Sequence, residues 1–151
     1  MVGLETGLAG PLDRTLIYRL HLVNKLTDKA SADIYARELE LPVGQARCLA
    51  AIGHFAPLSV VELAARSNLD KAQASRAAQA LVERDLVAKR MSATDGRGVV
   101  LSLTPRGRRL WARAMALIAQ RNADIFGCLS AAERKDLGRM LDRLIAHSRG
   151  E

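Results

Sequence analysis

The chain has 151 residues, 49% hydrophobic and 3% aromatic, with 23 Lys and Arg against 16 Asp and Glu for a formal charge of +7. That length suits one full core and one domain, and no apolar stretch approaches the ~20 residues that span a bilayer. No basic-then-apolar leader marks the N-terminus, and two distant cysteines, Cys48 and Cys128, make no disulfide framework, which fits a reducing cytoplasm.

Residues 1–11 are small, polar and glycine-containing, and read as a loosely held tail. From about Asp13 to Glu40 the pattern is one long helix. Leu16, Leu20, Val23, Thr27, Ala30 and Ile34 repeat with four-three spacing, a seam for another helix. Ile17, His21 and Asn24 give it a second face. Pro42 suits the first position of the next helix, with Ala46, Leu49 and Ile52 as its buried side and its end near Gly53. Ser59 and Glu62 then have capping-box spacing, and Asp70 and Gln73 repeat it. Between them Asn68 suits a left-handed turn position. Two helices this short and this close read as helix-turn-helix, the second being the candidate DNA-reading helix.

Leu86 and Val87 open a strand that ends near Met91. Ser92 to Gly98 supplies turn residues, with Asp95-Gly96 favouring positive backbone angles, and Val99 to Leu103 returns as a second strand. A helix-turn-helix followed by a basic hairpin is a winged helix: the helix fits the major groove and a cationic tip reaches the minor groove. Its local core is expected from Leu63, Leu69, Ala78, Leu81, Leu86 and Val87. Thr104-Pro105 restarts helix, with a stripe through Leu110, Ala114, Leu117, Ile118, Arg121 and Ile125 to Phe126, where Gly127 stops it. Ser130 and Glu133 make a third capping box beside Leu129, a residue placed for a hydrophobic staple. The last helix carries Leu137, Leu141 and Leu144 on one face.

Charge follows this organisation. Residues 61–110 hold ten basic and five acidic side chains, so +5 of the +7 lies in one third of the chain. A localised cationic surface implies a polyanionic partner; alone it is as often a solvated face, but here it coincides with the winged helix. Three terminal helices with apolar seams exceed what a winged domain needs for its own cover. An intertwined two-fold dimer accounts for them, and it sets two reading helices about one DNA turn apart.

The segments LSVVELAARSNLDKAQASRAAQALVERDLVAKR and DGRGVVLSLTPRG resemble the multiple-antibiotic-resistance regulators, the MarR family, over about residues 41–107. The Asp-x-Arg wing tip followed by alternating apolar residues and Leu-Thr-x-x-Gly carries the likeness. Asp85 departs from it, standing where the family usually has Gly; Asp occupies the left-handed region at some cost. The expected fold is mainly α with a small β-hairpin wing: a winged helix-turn-helix at about 42–104, with dimerisation helices at about 12–40 and 105–148 of a single domain. The resemblance implies a sequence-specific repressor that binds double-stranded DNA as a homodimer, a cytoplasmic and nucleoid-associated protein with no membrane partner. It also implies a small aromatic or anionic effector bound between the dimer helices and the winged domain.

On the reading helix, Lys71, Gln73, Ala74, Ser75, Arg76 and Gln79 are the exposed candidates, with Ala72 and Ala77 inward or neutral. Gln and Arg make bidentate contacts to adenine and guanine, whereas Ser and Lys reach phosphate. For Gln73 a capping role competes. In the wing, Arg97 is the candidate for minor-groove insertion, and Asp95 orients it or Arg90 and fixes the turn. Lys89 and Arg90, with Arg106, Arg108 and Arg109 beyond, add phosphate contacts, at least one of them being merely solvated. Effector-binding residues are not assigned; His21, Arg47 and His54 are polar candidates for which structural roles weigh more.

No catalytic residues and no cofactor are expected. His21, His54 and His147 have no metal-binding spacing, and no phosphate loop or nucleophile motif appears. Cys48 follows Arg47, which lowers a thiol pKa when both are exposed, but its apolar register favours a buried core thiol. The alternatives are a nonspecific architectural DNA-binding protein and a winged-helix module that binds protein.

Overall fold

The computed structural model describes residues 6–92, Gly96 and 98–151. Capping sets the element boundaries. A one-turn 3-10 segment, Leu12–Arg14, precedes Thr15, whose hydroxyl accepts the Tyr18 amide and starts α1 (Leu16–Leu39). The single helix expected from Asp13 is thus broken at Thr15, an extended residue with φ −71° and ψ 151°. Glu40, in the left-handed region at φ 56°, closes α1. There follow α2 (Val43–Phe55), α3 (Val60–Ser67), α4 (Lys71–Glu83), β1 (Val87–Met91), β2 (Val99–Leu103), α5 (Pro105–Phe126) and α6 (Ala131–Ser148). Among the described residues the fold is mainly helical with one hairpin, as expected.

Two boundaries differ from the sequence reading. Pro42 precedes α2 instead of opening it, because its ψ of 152° is extended. The end of α2, expected near Gly53, falls two residues later at Phe55. Gly53 itself is required by packing, since a β-carbon there would overlap the Trp111 indole. That indole donates to the Ala50 carbonyl at 3.2 Å.

The chain divides into two compact units, one up to Leu117 and one from Ile118 to Glu151. In the first, β1 and β2 pair antiparallel with Val87 opposite Leu103 and Met91 opposite Val99. Leu58 adds backbone hydrogen bonds to Leu101 at the hairpin's other edge. The core is aliphatic: Leu41, Leu49, Ile52, Leu58, Leu63, Leu81, Leu86 and Leu101 are fully buried around Cys48. Leu69, assigned to this core from the sequence, is only half-buried. α1 buries Ser31, Tyr35 and Leu39, while its N-terminal seam stays open, with Leu16, Leu20 and Val23 each close to half exposed.

In the second unit, Ser130 and Glu133 form the expected capping box. Asn122, Phe126, Leu137 and Leu141 line a groove of about 580 Å³, and no α6 residue is buried. No helix among the described residues is long and apolar enough to cross a membrane.

Candidate nucleic-acid interface

The turn between α3 and α4 is built by side chains. Ser59 Oγ accepts the Glu62 amide at 3.1 Å and starts α3, and Asn68 ends it with φ 57°. Asp70 Oδ1 then accepts the Gln73 amide at 2.7 Å, while Gln73 Oε1 accepts the Asp70 amide at 3.1 Å. This reciprocal pair fixes the first turn of α4, the turn a reading helix presents to bases.

α4 divides sharply. Ala74, Ala77, Ala78 and Leu81 are buried, an i, i+3, i+4, i+7 set facing the core. Ala74 is therefore not an exposed candidate. It is 0% accessible, because its place in that repeat turns it inward, where a methyl lets the helices approach closely. Lys71, Ala72, Gln73, Ser75, Arg76 and Gln79 face solvent. Lys71, Ser75 and Arg76 make no hydrogen bond or ion pair with any described residue, whereas Gln73 is held by its cap.

Gln79 is tied to the hairpin. Lys89 Nζ donates to Gln79 Oε1 at 2.8 Å, and Gln79 Nε2 donates to Glu83 Oε1 at 3.3 Å. The structure brings these two candidates together as a strut between α4 and β1. Arg90 projects from the other face of β1, paired with Val100. There it joins Arg108 and Ser102 around a cavity of about 490 Å³ walled by Ile52, Met91 and Leu103. Ser102 Oγ is buried without a hydrogen-bond partner among the described residues. Asp95 and Arg97 lie outside the described residues.

The base of the hairpin explains the Leu-Thr-x-x-Gly motif. Thr104 Oγ1 donates to the Asp85 carbonyl at 2.7 Å and accepts the Gly107 amide at 2.9 Å. Gly107 lets α5 approach so closely that a β-carbon would overlap the Leu86 carbonyl. Asp85 takes the left-handed conformation expected of it, at φ 58°.

Arg47 binds Asp28 at 2.5 Å, and His54 meets Phe55 edge-on at 4.7 Å between ring centroids. Neither lines the cavity behind the hairpin. Cys48 is buried, and desolvation pushes its thiol up from the ordinary value, against a smaller lowering by a Ser67 hydrogen bond. Among the described residues, no three His, Cys, Asp or Glu side chains converge to hold a metal.

Sequence reasoning missed an arginine cluster at the C-terminus of α1. Arg84 Nη1 donates to the Glu40 carbonyl at 2.8 Å and Arg113 Nη2 to the Glu38 carbonyl at 2.6 Å. The readable signal was Arg106, Arg109 and Arg113 on one face of α5.

Comparison with known proteins agrees with this architecture. A family model described as MarR family matches residues 39–98. The chain is 30% identical over 129 residues, 85% of its length and 90% of its relative's, to the HTH-type transcriptional repressor Rv2887 of Mycobacterium tuberculosis. A MarR/EmrR family regulator from Acinetobacter sp. ADP1 superposes with a TM-score of 0.85 at 20% identity, covering 94% of this chain and 100% of that one. The Rv2887 protein in complex with salicylic acid superposes with a TM-score of 0.70 at 26% identity, covering 90% and 97%. By its identity with Rv2887, itself a MarR family protein, over 85% of its length, and with the family model in agreement, the chain belongs to the MarR family of transcription regulators.

Proposed function

We propose that the protein is a ligand-responsive repressor that binds a pseudo-palindromic operator as a homodimer. The observation that carries the reading is the division of α4: a buried alanine face behind a capped first turn, with Lys71, Ser75 and Arg76 on the outer face and without a partner among the described residues. Arg76 reads a base edge and Lys71 and Ser75 hold phosphate. Lys89 braces the wing through Gln79, and Arg97, assigned from sequence, enters the minor groove. The lobe at about 42–104 binds DNA, and the helices at about 12–40 and 105–148 dimerise, within a nucleoid-bound cytoplasmic protein. Exposed apolar side chains on α1 and on α6, where Met140, Leu141, Leu144 and Ile145 are accessible, support the dimer.

Repression takes support from the relative Rv2887, a transcriptional repressor. One fold neighbour is a complex with salicylic acid, and another, BpsR from Bordetella bronchiseptica, has its DNA binding regulated by 6-hydroxynicotinic acid. In this chain the cavity behind the hairpin suits such a small aromatic acid: Arg90 and Arg108 for the carboxylate, the buried Ser102 hydroxyl, and apolar walls. Because β2 forms one wall, occupancy acts on the wing.

Binding measured across operator variants and salt concentrations tests the reading. Arg76→Ala should relax preference at particular half-site positions, at about 1–3 kcal/mol per lost bidentate contact. Equal binding of random and selected DNA at stated salt would point to an architectural protein instead. Salicylate should weaken operator binding by the wild type and much less by Ser102→Ala.

A further inference from the structure

Carbonyls at the C-terminal end of a helix lack intrahelical donors, and at the end of α1 two arginines serve two of them, those of Glu38 and of the cap Glu40. Arg84 comes from the end of α4 and Arg113 from α5, each through one guanidinium nitrogen. A third, Arg37, pairs with the Glu38 carboxylate at 3.4 Å. Helix capping and ion pairing account for these three. They do not account for Arg106 and Arg109, which line the same cavity and make no hydrogen bond or ion pair with any described residue.

The cavity holds about 540 Å³. Its lining carries five guanidinium groups against the carboxylates of Glu38 and Glu40, a net of +3. Arg106, Arg109 and Arg113 follow each other at i, i+3 and i+7 along α5. Like charges at that spacing repel and destabilise a helix, so the arrangement favours a bound anion. Each guanidinium has five donors in a planar fork suited to phosphate oxygens. Arg106 and Arg109 are neighbours at i and i+3, so both forks can turn to one anion, and a net of +3 is matched by a polyvalent phosphate better than by one carboxylate.

The duplex itself is the less fitting anion. Arg84 lies just past the C-terminus of the 13-residue α4, about 20 Å along that helix from the capped turn that reads bases. We infer that the arginine-lined cavity between the end of α1 and the start of α5 binds a small polyvalent phosphate, a diphosphate or the polyphosphate group of a nucleotide. This site is separate from the aromatic-acid cavity, and its binding does not depend on operator recognition.

Calorimetric titration of inorganic pyrophosphate into the full chain at low salt tests it. Saturable binding at one site per chain is expected, weakened about tenfold or more by joint Arg106→Gln and Arg109→Gln substitution. Neither side chain makes a hydrogen bond with any described residue, so the double variant should keep its helical circular dichroism; a double Lys variant that folds equally and binds at an intermediate level gives a second check. Joint Lys71→Ala and Arg76→Ala substitution, or saturation with salicylate, should leave pyrophosphate binding unchanged. Absence of saturable binding, equal binding by the double Gln variant, or loss of binding in the Lys71 and Arg76 variant would overturn the assignment. So would a parallel loss of operator affinity in the double Gln variant with pyrophosphate competing against duplex, which would make these arginines DNA-phosphate contacts.

Discussion

Ala74 and Arg76 are two residues apart, and the 3.6-residue period of α4 turns one to the core and the other to solvent. Alanine has no polar atom to declare its side, so composition leaves it open, whereas the repeat Ala74, Ala77, Ala78, Leu81 does not. The cysteines divide likewise. Cys48 sits in the apolar register of α2 and is buried with a raised thiol pKa, while Cys128 is exposed. Reaction needs the thiolate and access. An alkylating reagent at neutral pH should therefore label Cys128 promptly and Cys48 only on unfolding, read by mass spectrometry of the intact and digested chain. Joint replacement of both cysteines should preserve operator binding; release from DNA by peroxide in the wild type alone would instead establish a redox role.

At the scale of elements, the caps were the most legible feature, because a capping box is local: Asp70 with Gln73 and Ser130 with Glu133 form as their spacing predicts. Ser130 hydrogen bonds, its backbone N–H first, hold the Glu133 carboxyl below the ordinary carboxylate value. A lowered folded-state pKa means the contribution is complete above the unfolded value and lost as pH falls through the folded one. Protection of the first-turn amides of α6, taken as the exchange rate relative to the intrinsic rate at each pH, should therefore fall on acidification through the carboxylate range, and Glu133→Gln should flatten that response. Gly53 and Gly107 were not legible in the same way, since what excludes a side chain at each is an atom far along the chain or on another element. Gly107→Ala should lower the thermal midpoint, costing at least the ~1–3 kcal/mol typical of overpacking, because the obstacle is the backbone carbonyl of Leu86. Unchanged stability would mean that α5 shifts freely at the base of the hairpin.

For the whole molecule, the helical seams could be read from periodicity, but a single chain cannot say what covers them. Ile17 and Leu26 of α1 are about 60% exposed and Leu144 of α6 is 52% exposed. Such surface is where a monomer gains most by association. Sedimentation at micromolar concentration should show two chains per particle, and Leu141→Asp should shift the equilibrium toward monomer and weaken operator binding with it. A stable wild-type monomer would remove the dimer from the proposed function. The arginine cavity was hidden for the converse reason: its members come from α1, the end of α4 and α5, and only folding assembles them.

The strut from Lys89 to Gln79 bears on how recognition can be inherited. Positions 79 and 89 share one hydrogen bond across two elements, so neither varies alone without cost. Replacing Gln79 gives the exposed Lys89 ammonium over to water, and replacing Lys89 leaves Gln79 held by Glu83 alone at the rim of the reading helix. Contacting residues of this kind couple by about 0.5–3 kcal/mol. Lineages descending from this sequence are thus expected to change these positions together, with groove-reading helix and wing drifting as one heritable unit.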